Sequence, residues 1–281
     1  ARFRDEDLAA AWVRESEAFI AASHAAGRPF FLFFAAHECH VPRVVGERFA
    51  GKSALGPRGD AILELDWCVG ELMKTLAAEG LTEKTLVVFC SDNGPVLDDG
   101  YRDDAVEKNG SHRAAGPFSG GKYSVYEGGT RTPFITFWPG RIAPGESDEI
   151  VCTIDLPASL AALVGQPLPE SACLDSFDLH QALLGEPGAK GRDHLIQQDN
   201  GASGTFGLRA GRWKLVRHDK GFARNLVVEQ PLANTKVPRY QLFDLVADRG
   251  EQQDLSAGNP GRVAAMIAKL EQAIAGGRTR P

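Results

Sequence analysis

The chain is short of several things, and each shortage removes a class of function. No apolar run approaches the roughly 20 residues that span a bilayer. The longest is Phe30 to Ala36, so no membrane partner is expected. Positive charge is in deficit, with 31 Lys and Arg against 37 Asp and Glu and a net charge of -6. That leaves no field to hold a polyanion through many phosphate contacts, and no nucleic-acid partner is expected. Cysteine is scarce: Cys39, Cys68, Cys90, Cys152 and Cys173 are scattered, and no C-x-x-C pair suggests zinc or a disulfide framework. Most of them read as buried small apolar residues. Their odd number leaves at least one thiol without a partner in the chain, which argues against a disulfide-stabilised secreted module. The opening Ala1-Arg2-Phe3-Arg4-Asp5 has neither an initiator Met nor a basic-then-apolar leader. The start therefore reads as a cut within a longer protein, and localisation is not given. Internal repeats, low-complexity tracts and long linkers are missing too.

What is there is an ordinary globular composition, 281 residues with 43% hydrophobic and 24% charged, enough for one large domain or two smaller ones. From Asp5 to Ala26 the apolar positions Leu8, Trp12, Phe19 and Ile20 recur at helical spacing, with Gly27 as the stop. Phe30 to Ala36 follows as an unbroken apolar run, the mark of a strand buried on both faces. Ile62, Leu65, Val69, Leu72 and Leu76 predict a helix from Asp60 to Glu79, and Thr85 to Cys90 a second buried strand. Strand, helix, strand is the grammar of a parallel sheet covered by helices. Pro133 to Trp138 predicts a further strand, and Asp155 to Val164 a short helix with Pro157 in its first turn. After about residue 190 the pattern changes. Phe206–Arg209 and Arg212–Arg217 predict an antiparallel hairpin, with Tyr240–Leu245 as a third strand. A terminal helix follows, capped by Asn259 with Pro260 at its first position and striped by Val263, Ile267, Leu270 and Ile274. The expected division is 1–190, an α/β portion, and 191–281, a small α+β subdomain.

In an open α/β sheet functional groups gather beyond the carboxyl ends of strands. The first predicted strand runs into His37-Glu38-Cys39-His40-Val41-Pro42, the second into Ser91-Asp92-Asn93-Gly94-Pro95. Asp92 and Asn93 put a carboxylate beside an amide oxygen, which suits a hard cation such as calcium or magnesium. Taken alone, Asp-Asn-Gly is a turn, and two side chains cannot supply the roughly six to eight oxygens calcium wants. By spacing His37 and His40 fit a metal ligand, a general acid or a strand-end hydrogen bond, and spacing alone favours the last. Lys122 in Gly120-Gly121-Lys122-Tyr123 can approach an anion closely. It lacks the spacing of a phosphate-binding P-loop, and a solvated lysine gives the same pattern. The polar loop 96–117 is long enough to be functional, and its His112 and Arg113 are candidate substrate contacts.

Three segments, PFFLFFAAHECHVPR, TLVVFCSDNGP and GGKYSVYEGGTRTPFITFWPGRI, occur in this order and at similar separations in arylsulfatases. GRWKLVRH and YQLFDLVADRGEQQDL resemble that family's small C-terminal subdomain. The chain thus resembles about the second half of a formylglycine-dependent sulfatase. The resemblance implies an alkaline-phosphatase-like, mostly parallel sheet flanked by helices, and hydrolysis of sulfate esters of aryl or carbohydrate compounds. It implies Asp92 and Asn93 as two ligands of Ca2+, Lys122 as the lysine that contacts sulfate, and His40 as the active-site histidine that helps protonate the leaving group. His37 receives no role. It also suggests a periplasmic or secreted location. The family's nucleophile, a hydrated formylglycine made within C/S-x-P-S-R, has no counterpart here, nor have the adjacent upstream aspartates of the calcium site. Cys39-His40-Val41-Pro42-Arg43 is a near miss with its proline one place late. The chain alone is expected to be inactive. Two alternatives are a phosphatase or phosphonate hydrolase of the same superfamily and a sulfatase-like module kept for glycan binding or assembly. Asp92-Asn93, where zinc-dependent relatives commonly carry Asp-His, favours the sulfatase. Open sheet edges make self-association possible.

Overall fold

The computed structural model describes residues 4–200, 204–219 and 236–280. The opening Ala1–Phe3, on which the reading of the chain start partly rests, lies outside the described residues. The chain packs as two compact units, one formed by Ala1–Leu86 with Leu97–Arg113, the other by Val87–Val96 with Ala114–Pro281.

In the first unit a 3-10 turn, Asp5–Asp7, leads into helix α1, Leu8–Ala25. Helix α2, Gly56–Ala78, starts four residues before the predicted Asp60, because Pro57 fits a first helical turn. The buried Asp60 carboxylate ties down the preceding loop, accepting from the amides of Gly51 at 2.8 Å and Ser53 at 2.7 Å. Ala9 and Val13 of α1 pack on Cys68 of α2, with Phe34 and Trp67 against them. A short turn of helix, α3 (Ala105–Lys108), lies in the loop that completes this unit.

The run Phe30–Ala36 forms no strand: Phe34 reaches the α1–α2 core, but Phe31 and Phe33 are 73% and 79% exposed. A strand exists only through its ladder, and among the described residues nothing pairs with this run.

The second unit begins with strand β1, Val87–Cys90. After one helical turn, α4 (Glu127–Thr130), strand β2, Phe134–Phe137, pairs with β1 in antiparallel register, Val87 opposite Phe137 and Cys90 opposite Phe134. The parallel neighbour expected for β1 was the run Phe30–Ala36, which forms no strand among the described residues. The connection to β2 carries only short helical turns, not the crossover helix that parallel neighbours need. Helices α5 (Leu156–Leu163) and α6 (His180–Leu183) follow. Asp155, fully buried before α5, accepts from the Cys152 and Phe177 amides and from Arg192 Nε at 2.8 Å.

Strands β3 (His194–Gln198), β4 (Phe206–Ala210), β5 (Trp213–Arg217) and β6 (Tyr240–Asp244) form one antiparallel sheet in that order. The hairpin and third strand were legible; β3 was not. Helix α7, Pro260–Gly276, lays Met266 and Leu270 on Leu208, Leu215 and Leu242, one face of the sheet. On the other face Val216 and Phe243 meet Val125 and Tyr126. Asn259 stands at the start of α7 without capping it; its side-chain amide donates to the Leu255 carbonyl at 2.9 Å.

No disulfide forms among the described residues, and of the five thiols only Cys68 is fully buried, so burial of most of them does not hold. No helix of the described residues is long and apolar enough to cross a membrane.

Candidate functional site

Beyond β1 the chain turns at once. Ser91 Oγ donates to the Asn93 carbonyl at 3.0 Å, and the Asn93 amide donates to Asp92 Oδ1 at 2.9 Å. Asn93 Nδ2 donates to the Gly94 carbonyl at 2.9 Å, which turns the amide oxygen of that side chain away from this bond. Asp92 itself is exposed. A Cβ on Gly94 would overlap the carbonyl oxygen of Gly128, so only glycine allows the Gly128–Gly129 backbone this close. The Gly94 amide donates to Gly129 at 2.9 Å, and the Lys122 amide to Pro95 at 2.9 Å.

These bonds collect Asp92, Asn93 and Lys122 into one cluster of loops at the end of β1. The Lys122 ammonium lies 5.1 Å from the centre of the Tyr123 ring, and Tyr123 adopts φ +78, a left-handed conformation that bends the loop sharply at that point. The donor chemistry fits part of a hard-cation site, a carboxylate and an amide oxygen. Three oxygens remain short of calcium's shell of roughly six to eight. Among the described residues no group of three or more His, Cys, Asp or Glu is arranged to hold a metal.

His37, His40, His112 and Arg113 belong to the first unit. His37 makes an edge contact with Trp12, centroids 6.3 Å apart. His40 is 60% exposed. Its Nδ1 is 2.7 Å from the Val41 carbonyl. A carbonyl only accepts, so Nδ1 carries a proton, and Nε2 is the nitrogen that can gain or release one. Nε2 faces Asp99 Oδ2 at 3.9 Å.

The turn is held from below by Arg43, almost wholly buried, which donates to the carbonyls of Cys39 and Leu97 and reaches Asp103 Oδ2 at 2.6 Å. Burial pushes the Cys39 thiol up, opposed in part by Arg58, so Cys39 is a poor thiolate and the near-miss motif has no activated sulfur. His112 and Arg113 are exposed, with the His112 backbone held in a turn with Asn109. The loop 97–107 encloses a half-open cavity of about 440 Å³. Asp98, Arg102, Asp103, Asp104 and Glu107 line it, with Asp103 paired to Arg43.

Sequence reasoning passed over Arg43, Asp99 and Asp103. The available signal was an arginine three places after His40 facing an aspartate-rich loop, a pattern too common at surfaces to single out.

The family described as Sulfatase matches residues 4–166, and the chain belongs to it. The chain is 42% identical over 271 residues to the N-acetylgalactosamine-6-O-sulfatase of Bacteroides thetaiotaomicron, covering 96% of this chain and 52% of that protein. It is 37% identical to human arylsulfatase A over 253 residues, 87% of this chain and 48% of the relative. A solved structure concerned with the metabolism of multiple glycosaminoglycans by Bacteroides thetaiotaomicron superposes with a TM-score of 0.87 at 40% identity, over 97% of this chain and 55% of that one. A sulfatase from Pseudoalteromonas sp. gives 0.77 at 25% identity, over 96% and 53%. The fold is therefore the alkaline-phosphatase-like one of sulfatases, and the chain spans about half the length of the relatives it matches.

Proposed function

We propose that this chain is the C-terminal part of an enzyme that hydrolyses sulfate esters, and that its substrate is a sulfated carbohydrate in preference to a simple aryl sulfate. The observation that supports the reading is the hydrogen bond from the Lys122 backbone amide to the Pro95 carbonyl at 2.9 Å, which ties the backbone of the glycine-flanked lysine to the segment that follows Asp92 and Asn93. A cation and an oxygen-rich turn held together are what a sulfate group and a divalent metal need. The family membership supports the reaction class. The relative named for N-acetylgalactosamine-6-O-sulfate supports the substrate class.

In this reading Asp92 and Asn93 hold part of a Ca2+ site, and calcium, when bound, supplies positive charge that orients and polarises the sulfate oxygens. Lys122 binds a sulfate oxygen and offsets the charge that develops as the ester bond breaks. His40 delivers a proton from Nε2 to the departing sugar oxygen, its other nitrogen held by the Val41 carbonyl. His112 and Arg113 contact the sugar from the polar loop. The nucleophile is supplied from outside this chain.

The test is sulfate release from a 6-O-sulfated N-acetylgalactosamine by the full-length protein, before and after calcium is stripped with a chelator. Release that calcium restores and zinc does not supports the reading. Zinc-dependent phosphate release from the matching 6-O-phosphorylated sugar, without sulfate release from the sulfated one, moves the protein to the phosphatase branch. Tight binding of the sulfated sugar with no release of either anion makes it a binding module.

A further inference from the structure

The C-terminal sheet presents an unusual inner face. Alternation along β5 turns Trp213, Leu215 and Arg217 one way and Lys214 and Val216 the other. Lys214 is therefore withdrawn wholly from solvent between two carboxylates, Glu127 and Glu251, which are equally buried. Its Nζ donates to Glu127 Oε1 at 2.9 Å and lies 2.9 Å from Glu251 Oε1. Glu251 Oε2 in turn accepts from the Glu127 backbone amide at 2.6 Å. Arg131 and Arg209 approach the second oxygen of Glu127 at 3.4 and 3.8 Å. Burial alone would raise the Glu127 carboxyl, but Lys214, Arg209 and Arg131 together hold it below its ordinary value, so it stays ionised.

Glu127 opens α4, in the loop that carries Lys122. The same loop is fastened to the sheet and its flank at several further points. Gln197 of β3 donates to Thr130 Oγ1 at 2.6 Å. Tyr126 donates to Gln241 of β6 at 2.9 Å. Ser119 Oγ donates to the Gly250 carbonyl at 2.5 Å. Within the loop the Gly128 amide donates to Ser119 at 2.7 Å, and a Cβ on Gly128 would overlap the Gly120 carbonyl. The backbone of 119–122 is thus moulded on 127–129, and 127–129 is bolted to the sheet. From this we infer that Lys214 is a positioning residue: through Glu127 and Glu251 it fixes the loop 119–131, and hence Lys122, against the Asp92–Pro95 turn. A loop with four glycines at 120, 121, 128 and 129 has little stiffness of its own. Its register is imposed from the C-terminal subdomain, whose role here is to hold the anion-binding lysine still.

This rests on the reading of Lys122 as the sulfate contact, and the experiment separates the two ideas. In the full-length protein, Lys214→Met and the milder Glu127→Gln are compared with the parent by amide hydrogen exchange and by turnover of 4-nitrophenyl sulfate. Exchange across 119–131 is expected to accelerate about tenfold or more in Lys214→Met, and less in Glu127→Gln, while α7 keeps its parent rate. A displaced ammonium fails mainly in the transition state, so kcat should fall about tenfold with KM changed less than about threefold. If Lys214→Met does not fold, Glu127→Gln carries the test. Parent-like exchange at 119–131, or acceleration spread evenly over the chain, overturns the inference, as does a raised KM with kcat intact. Lys122→Ala run alongside isolates the other failure. Turnover indifferent to Lys122 sinks the sulfate-contact reading, and the tie is then judged on exchange alone.

Discussion

Lys214 Nζ stands 2.9 Å from Glu127 Oε1 with neither side chain open to water, a cation on the central strand of one sheet neutralising a carboxylate on a loop 87 residues earlier. Such a pair adds little net stability compared with a well-packed apolar pair, because both charges lose their hydration. What it supplies is uniqueness of register. A one-residue slip of β5 would bury Trp213 and Leu215 against Glu127 and take Lys214 from that carboxylate, leaving it only the more distant Arg131 and Arg209.

Glu251 gives this cluster a pH signature. Burial raises its carboxyl from 4.5 to about 7, with Lys214 and the Glu127 amide opposing and the Glu127 charge adding to the rise. Between those two values the folded protein keeps a proton that the unfolded chain has released. Stability therefore falls as pH rises through that window and levels off above it. Glu251→Gln has no such proton to lose. Relative to the parent, the variant should gain by up to about 3 kcal/mol between pH 4.5 and pH 7.5. Urea midpoints across that range check this, and a difference independent of pH would refute the assignment.

Arg192 and Asp155 form a second buried pair, 2% and 0% exposed in their side chains. The carboxylate also accepts the backbone amides of Cys152 and Phe177, and the arginine donates to the Asp175 carbonyl. Removing the cation strands a buried charge and opens the loop around it. Arg192→Met should destabilise the protein by about 3–5 kcal/mol, seen as a lowered denaturation midpoint. Loss under about 1 kcal/mol would mean the carboxylate is satisfied by its amides alone.

Much of this fold could be read from period and punctuation. Helices α1, α2 and α7 announce themselves through apolar stripes ended by Gly27, Gly80 and Gly277, each at positive φ. The hairpin of β4 and β5 announces itself through its Ala-Gly turn. The run Phe30–Ala36 misled for a physical reason: apolarity reports what a segment can bury, not whether a neighbouring strand is there to pair with it. Of the candidate site, Asp92, Asn93 and Lys122 were singled out through glycine-bounded motifs, and backbone bonds join the loops that carry them. Lys214, Glu127 and Glu251 stayed hidden because each charge is balanced by residues distant in the chain. A lysine in Trp-Lys-Leu-Val reads as solvent-facing unless both faces of its sheet are known to be covered.

The turn after β1 tolerates no side chain at Gly94. Its Cβ position is filled by the Gly128 carbonyl, so Gly94→Ala must push the lysine loop off the Asp92–Asn93 turn. Rigid backbone faces rigid backbone there, and the strain of overpacking is expected to cost about 1–3 kcal/mol. The two candidate motifs should separate as well. Gly94→Ala is expected to lower the affinity of the full-length protein for calcium and for sulfate together, measured by titration calorimetry. Loss of one without the other would show that the two loops do not depend on each other.

His40 and Lys122 are assigned different tasks, and leaving-group chemistry can tell them apart. Protonating a departing oxygen matters most when that oxygen is strongly basic, as in a sugar alkoxide, and least when it is stable as an anion, as in 4-nitrophenolate. His40→Ala should therefore cut turnover of a carbohydrate sulfate by about 100-fold or more while sparing much of the rate on 4-nitrophenyl sulfate. In the proposed reading Lys122 acts on the sulfuryl oxygens, which both substrates share, so Lys122→Ala should cut both rates by a similar factor, about 100-fold. The comparison is made on kcat/KM for the two substrates with folding verified by circular dichroism. Equal losses on both substrates in His40→Ala would remove the proton-transfer role from Nε2 and leave His40 as a hydrogen-bond donor to the sulfate.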